Sequence, residues 1–333
     1  MPFSSNDPRD YFAIAVQSAQ RTEATSGFKF LKYLSGGIKV DQETEQIYEG
    51  GDGQDVGLIY KSKVKTDGEV EVYARPDTFT FLAAQAMGSL GAAIPSVAAA
   101  NVASHVYVPN STVPFLTIEQ AFGGGNNIDR VVDGIISGMT IEAEAAMPWK
   151  INVPIIGGGS AYYRDGAASA LSATLEAGDP AMYSGGAYLI DGATSLDISK
   201  FTYKFERKVD DDLFTNGNTR RDLVPLSRSV SVDMQVILQN PSYYKQILYG
   251  GGSQIPAFLA TGSFRAYRDL SASQTLQIDV PWLRYTGVEV NRLAPDGETI
   301  VLDISAVGQK VSGTWITSLR GNIVGRATSY LIP

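Results

Sequence analysis

Two acidic stretches hold the residue types that could do chemistry in this chain. In the first, Asp41, Glu43 and Glu45 alternate with Gln42, Thr44 and Gln46, and Glu49, Asp52 and Asp55 follow with no basic residue among them. Extended, this alternation sets three carboxylates on one face, about 6.5–7 Å apart. Two readings stand: a solvated hairpin tip, or a working surface such as a lumen wall or subunit contact. Inside the stretch, Gly50-Gly51-Asp52-Gly53-Gln54-Asp55 matches the first six positions of a calcium-binding β-roll nonapeptide. The match fails at the apolar eighth position, Gly57, and it occurs once, whereas a β-roll needs stacked copies. A glycine-rich turn accounts for it better.

The second stretch is Asp210-Asp211-Asp212, a run that suggests a metal. Arg207, Lys208, Arg220 and Arg221 flank it, so a self-compensating solvated loop is expected instead. His105 is the single histidine, and no partner for a triad or metal site can be named for it. Catalytic, cofactor-binding and metal-binding residues are therefore all expected to be none. The residues of the two acidic stretches, with Arg220 and Arg221, remain as candidate subunit-contact or lumen loops.

Composition narrows the classes further. There is no cysteine, which removes disulfides, thiolate metal sites and cysteine nucleophiles. No nucleophile elbow, Walker loop or His/carboxylate cluster appears, so an enzyme is not expected. The net charge of −8 comes without the basic, aromatic-interleaved patches that grip phosphates, which argues against tight DNA binding. The start, MPFSSNDPRD, lacks a signal-peptide pattern, and the longest apolar run, Ala92–Ala100, is broken by Pro95. A soluble protein made in the cytoplasm, with no membrane contact, is expected.

The elements that carry these loops come in duplicate. VEVYARPDTFTFLAAQAMG (70–88) reads as a strand, a helix opened by Pro76 with a Phe79, Leu82, Ala83, Ala86 stripe, and a Gly88 cap. QVILQNPSYYKQILYGG (235–251) repeats this with Asn240, Pro241, the Tyr244, Ile247, Leu248 stripe and Gly250. Ile94-Pro95 follows one and Ile255-Pro256 the other. A second echo links GMTIEAEAAMPWKINVPII (138–156) to GVEVNRLAPDGETIVLDIS (287–305). Gly138 matches Gly287, Ile141 matches Val290, and Ile151 matches Ile300, each at a separation of 149. Both echoes alternate apolar with polar residues, as half-buried antiparallel strands do. Asp67-Gly68 reads as a hairpin turn between strands at 58–64 and 69–74. Around Tyr11, Phe12 and Val16, a short helix and an extended arm are both compatible.

These signals divide the chain into an N-terminal arm (1–27), a first domain (28–159), a small-residue linker (160–186) holding a short helix around 168–176, and a second domain (187–333). The expected fold class is mainly β: two tandem antiparallel β-sandwich or barrel domains, each with a short flanking α-helix.

The order of strand, polar hairpin, Pro-led helix and GMTIEAEAAMPWKINVPIIGG hairpin resembles the tail tube proteins of long-tailed bacteriophages, of siphovirus type. The opening YFAIAVQSAQRTEATSGFKFLKYL resembles the N-terminal part of their longer variants. The resemblance implies two tandem tube domains per chain and homotrimeric, pseudo-hexameric rings that stack into a hollow tube. It implies assembly in the host cytoplasm into a virion tail, with tape-measure, terminator and tip proteins as partners. Genomic DNA would pass through without specific binding, and no cofactor is implied. The alternatives are another phage ring protein, a tail terminator or head decoration, and a β-sandwich carbohydrate-active or carbohydrate-binding protein.

Overall fold

The computed structural model describes residues 10–48, 58–90, 102–122, 127–158, 161–165, 176, 178–191, 193–194, 198–214, 220, 222–237, 241–249, 260–271, 274–291 and 300–324. The protein is mainly β, and its strands pair antiparallel throughout. The first half holds β1 (Tyr11–Val16), β2 (Lys29–Leu31), β3 (Tyr33–Ile47), β4 (Leu58–Tyr73), α1 (Pro76–Met87), β5 (Gly88–Leu90) and β6 (Val102–Pro109). It continues with β7 (Leu116–Phe122), β8 (Asn127–Ile136), β9 (Gly138–Glu144), β10 (Lys150–Gly157) and β11 (Ala161–Asp165). The second half holds β12 (Gly186–Ile190), β13 (Ala193–Thr194), β14 (Ile198–Asp210), β15 (Val224–Ile237) and α2 (Pro241–Tyr249). It ends with β16 (Thr261–Ser271), β17 (Gln274–Asn291), β18 (Val301–Gly308) and β19 (Ser318–Val324).

The pairing in the first half closes on itself. Starting from β2, hydrogen-bonded neighbours run β1, β7, β8, β10, β4 and β3, and β3 continues the chain of β2. In the second half the path is β13, β12, β16, β17, β18, β15 and β14, the same circuit with different residues. β11 lies on β8 as β19 lies on β17. The first half breaks its long strand into β8 and β9 at Ser137, while β17 runs through with a register shift between Tyr285 and Gly287.

The pairing also corrects the sequence alignment of the echoes. Ile141 faces Ile151 and Ile151 faces Val72, whereas Val290 faces Leu302 and Leu302 faces Val236. Leu302, not Ile300, is thus the counterpart of Ile151, and that separation is 151. An even slip leaves every side chain on its own face, which is why alternation alone did not reveal it.

One expectation changes and two are sharpened. Asp67-Gly68 is no turn: β4 runs through it, because Gly68 packs so tightly on β3 that a Cβ would sit 2.2 Å from the Gly37 carbonyl oxygen. Residues 11–16 are a buried strand, held between β2 and β7. Helix α1 is more than an amphipathic stripe, for every residue but Asp77 is buried. It is covered on its further side by β6 and by β19 of the second half, where Thr80 fills the space over Gly321. Gly88 does end it in the left-handed conformation (φ 79°), donating to the Ala84 carbonyl. Phe79, Leu82 and Ile247 point inward as read, and Tyr244 is half-buried. Gly250, both Ile-Pro pairs and most of the 168–176 segment lie outside the described residues.

One apolar core runs through both halves. Trp149, fully buried, meets Phe201 edge-on at 5.5 Å and lies 6.4 Å from Tyr188. Ala181 is stitched between Trp149 and Ala74 by backbone hydrogen bonds of 2.7 Å on each side.

Candidate functional site

The two acidic stretches meet. Asp41, Glu43 and Glu45 lie on the exposed outer part of β3, opposite Lys65, Lys63 and Tyr60 of β4. Lys65 Nζ reaches Glu43 Oε1 at 3.1 Å, and the Tyr60 hydroxyl donates to Glu45 at 2.6 Å. From the second half, Asp212 takes Lys63 at 2.9 Å and lies 4.0 Å from Lys65. Asp211 takes Arg220 at 2.8 Å, and Arg220 also holds Asp67 through two nitrogens, at 2.8 and 3.1 Å. The Arg220 side chain is buried and donates further to the Thr66 and Gly157 carbonyls. Asp210 accepts weakly from the Asp212 backbone N–H. The Lys63 hydrogen bond, with the nearby positive charges, holds the Asp212 carboxyl below the usual range, and the Glu43 bond raises Lys65.

The loop is therefore held in place from within: each described acid of 210–212 meets a base or a backbone donor. Exposed pairs of this kind add little stability. They do fix where the loop lies against the hairpin. Among the described residues no group of three acids or histidines is placed to hold a metal. Glu49, Asp52, Asp55 and Arg221 lie outside the described residues. His105 is buried on β6 and stacks on Tyr107, with ring centroids 6.2 Å apart.

Sequence reasoning missed two features. Arg130 and Glu119 form a buried ion pair on neighbouring strands, joined by Glu23. A charged residue inside the apolar run LTIEQAF was the available signal. The N-terminus of α1 is capped from far away: Glu176 accepts from the Asp77 and Thr78 backbone N–H groups at 2.9 Å and from the Thr78 hydroxyl at 2.8 Å. A shallow polar groove between Ser35, Glu69, Glu71, Lys150 and Asn152 holds a 3.3 Å Lys150–Glu71 pair and a 3.1 Å bond from the Asn152 amide nitrogen to Glu69.

The strand edges carry more information than any pocket. β9 pairs with β10 on one side and on the other with β14 of the second half, Gly138 to Glu144 against Glu206 to Lys200. Met139, Ile141, Phe201, Tyr203 and Phe205 are fully buried there. The corresponding outer edges, β3 and the part of β17 beyond Arg284, have no such neighbour among the described residues. At the far end of the β3–β4 hairpin, Tyr48, Leu58, Ile59 and Tyr60 are all exposed, Tyr48 by 64% and Ile59 by 61%.

The protein is a mainly β chain whose halves join strand edge to strand edge and in which like edges have no neighbour among the described residues, and such edges are templates for further pairing. The family model described as phage tail tube protein matches residues 9–283, and the chain belongs to that family. Comparison with curated proteins yields no match. Family membership makes the chain a structural component of a phage tail, one that assembles with itself and with other tail proteins. No described helix is long and apolar enough to cross a membrane.

Proposed function

We propose that this chain is the repeating wall unit of a phage tail tube, with two tandem tube domains per chain and three chains per pseudo-hexameric ring. The observation that carries the reading is the β9–β14 junction, in which two circuits of the same topology are already joined edge to edge. A ring requires head-to-tail contacts that repeat and close, and a duplicated chain supplies every second one internally. The pairings favour a first domain from β1 to β11, wider than 28–159 at both ends, and a second that starts with β12 at Gly186.

Rings stack into a hollow tube through which the genome passes without specific binding, and the role is not enzymatic. Three chains of net charge −8 put −24 on each ring. Where that charge lines the bore, it repels phosphate over about 8 Å at physiological salt. Tape-measure, terminator and tip proteins are the expected partners, and assembly takes place in the host cytoplasm. Negative-stain microscopy of purified protein tests the reading. Stacked rings of three chains are expected; rings that never stack would point to a terminator or decoration protein, and monomers at high concentration to a carbohydrate-binding module.

A further inference from the structure

Gly138 and Gly287 occupy the same place in the two circuits, yet only one of them has a visible reason to be glycine. A Cβ on Gly138 would lie 2.7 Å from the Phe205 carbonyl oxygen, because β14 passes directly over it. Around Gly287 the space is open, with nothing nearer than the Ser305 Cβ at 4.0 Å. We infer that the β17 edge from Gly287 to Asn291 pairs with the β3 edge of a second copy of this chain, in the register that β9 and β14 use within the chain. The inference rests on the tube reading and names the residues of its seam.

The register follows from the pairings. Val70 and Met234 are counterparts, since Val70 faces Val153 on β10 and Met234 faces Ile304 on β18. Gly36 faces Val70 and Phe201 faces Met234, so Gly36 to Val40 on β3 correspond to Phe201 to Phe205 on β14. In the intact junction Tyr203 faces Ile141, Lys204 faces Thr140 and Phe205 faces Met139. Carried to the open edges, Ile38 faces Val290 of the next copy, Lys39 faces Glu289, and Val40 faces Val288. The Val40 carbonyl then takes the space over Gly287.

The side chains suit that register. Two apolar pairs flank one pair of opposite charge, and directly opposed strand residues interact most strongly. Neither Lys39 nor Glu289 has an ion-pair partner among the described residues. Val40 is 39% exposed and Val288 and Val290 are half-buried, while their counterparts Phe205, Met139 and Ile141 are fully buried. The Ile38 N–H points away from β4 and is held at 2.7 Å by the Gln120 carboxamide oxygen. The counterpart of Gln120 on β16 is Ala266. Gln120 thus covers the open edge in the lone chain, as edge strands require, and swings aside when the neighbour's strand arrives.

Because the Ile38 N–H faces the seam, Lys39 and Glu289 form a non-hydrogen-bonded pair, with Cα atoms about 4.5 Å apart. That separation permits a disulfide, and the chain contains no cysteine to compete. The test oxidises Lys39→Cys/Glu289→Cys protein after assembly. The expected result is near-complete cross-linking into closed oligomers on a denaturing gel, with at least ten-fold less in Lys39→Cys/Asn291→Cys, whose register is two residues off. Glu289→Lys and Gly287→Val are expected to keep the wild-type circular dichroism and melting curve while losing most ring assembly. Lys39→Glu/Glu289→Lys is expected to recover it. Wild-type tubes with no cross-link at 39–289, or with Gly287→Val assembling normally, overturn the seam and leave the tube reading standing. Wild-type protein that forms no rings overturns both.

Discussion

At the scale of single residues, Glu176 shows how a side chain without catalytic chemistry can be decisive. The first turn of α1 has free N–H groups, Arg75 caps none of them with its side chain, and Glu176 fills that role from about a hundred residues away. A carboxylate there also meets the positive end of the helix dipole. Glu176→Ala is expected to lower stability by about 1 kcal/mol, the usual loss for a cap, seen as a lower urea midpoint at unchanged slope. The alternation of Asp41, Glu43 and Glu45 was legible as one acidic face. The lysines that answer it were not, because a register shift between Glu43 and Thr44 and the arrival of Asp212 are tertiary facts.

At the scale of elements, the outer β3–β4 hairpin has no third strand beside it among the described residues. A two-stranded ribbon is marginal alone in water, and this one exposes Tyr48, Leu58 and Ile59. A neighbouring ring that covers it would account for that surface. Deleting residues 42–55 is therefore expected to leave a folded chain with an unchanged melting curve that polymerises poorly. Normal tubes from the deletion would remove the hairpin from the stacking contact. Helix ends were readable here because Pro76 and Gly88 act through their own backbone limits. Asp67-Gly68 misled because glycine serves close packing between strands as well as turns. The burial of α1 on nearly every side was out of reach, since its cover, β19, comes some 230 residues later.

At the scale of the whole molecule, three tyrosines in the shared core make stability sensitive to alkali. Burial pushes the Tyr188 phenol up to about 12, and those of Tyr183 and Tyr203 upward as well. Unfolded, they ionise near 10, so above that pH the unfolded chain binds fewer protons than the folded one and stability falls as pH rises. The urea midpoint is expected to hold steady between pH 8 and 9.5 and to drop between 10 and 12, with a shallower drop in Tyr203→Phe. The recurrence of a strand followed by a Pro-led helix was legible from Pro76 and Pro241. That the halves share one core around Trp149 and Phe201 was not, because both aromatics read equally well as the centre of a separate core.

The β9–β14 junction has a kinetic consequence. A ring of six separate domains would need five encounters in solution before it closed, but three chains that each arrive with one junction made need only two. In the proposed ring, the concentration dependence of nucleation would then fall from roughly the sixth power toward the third, because three of the five encounters have become intramolecular. Rings would begin to form while the chain is still scarce, early in its accumulation.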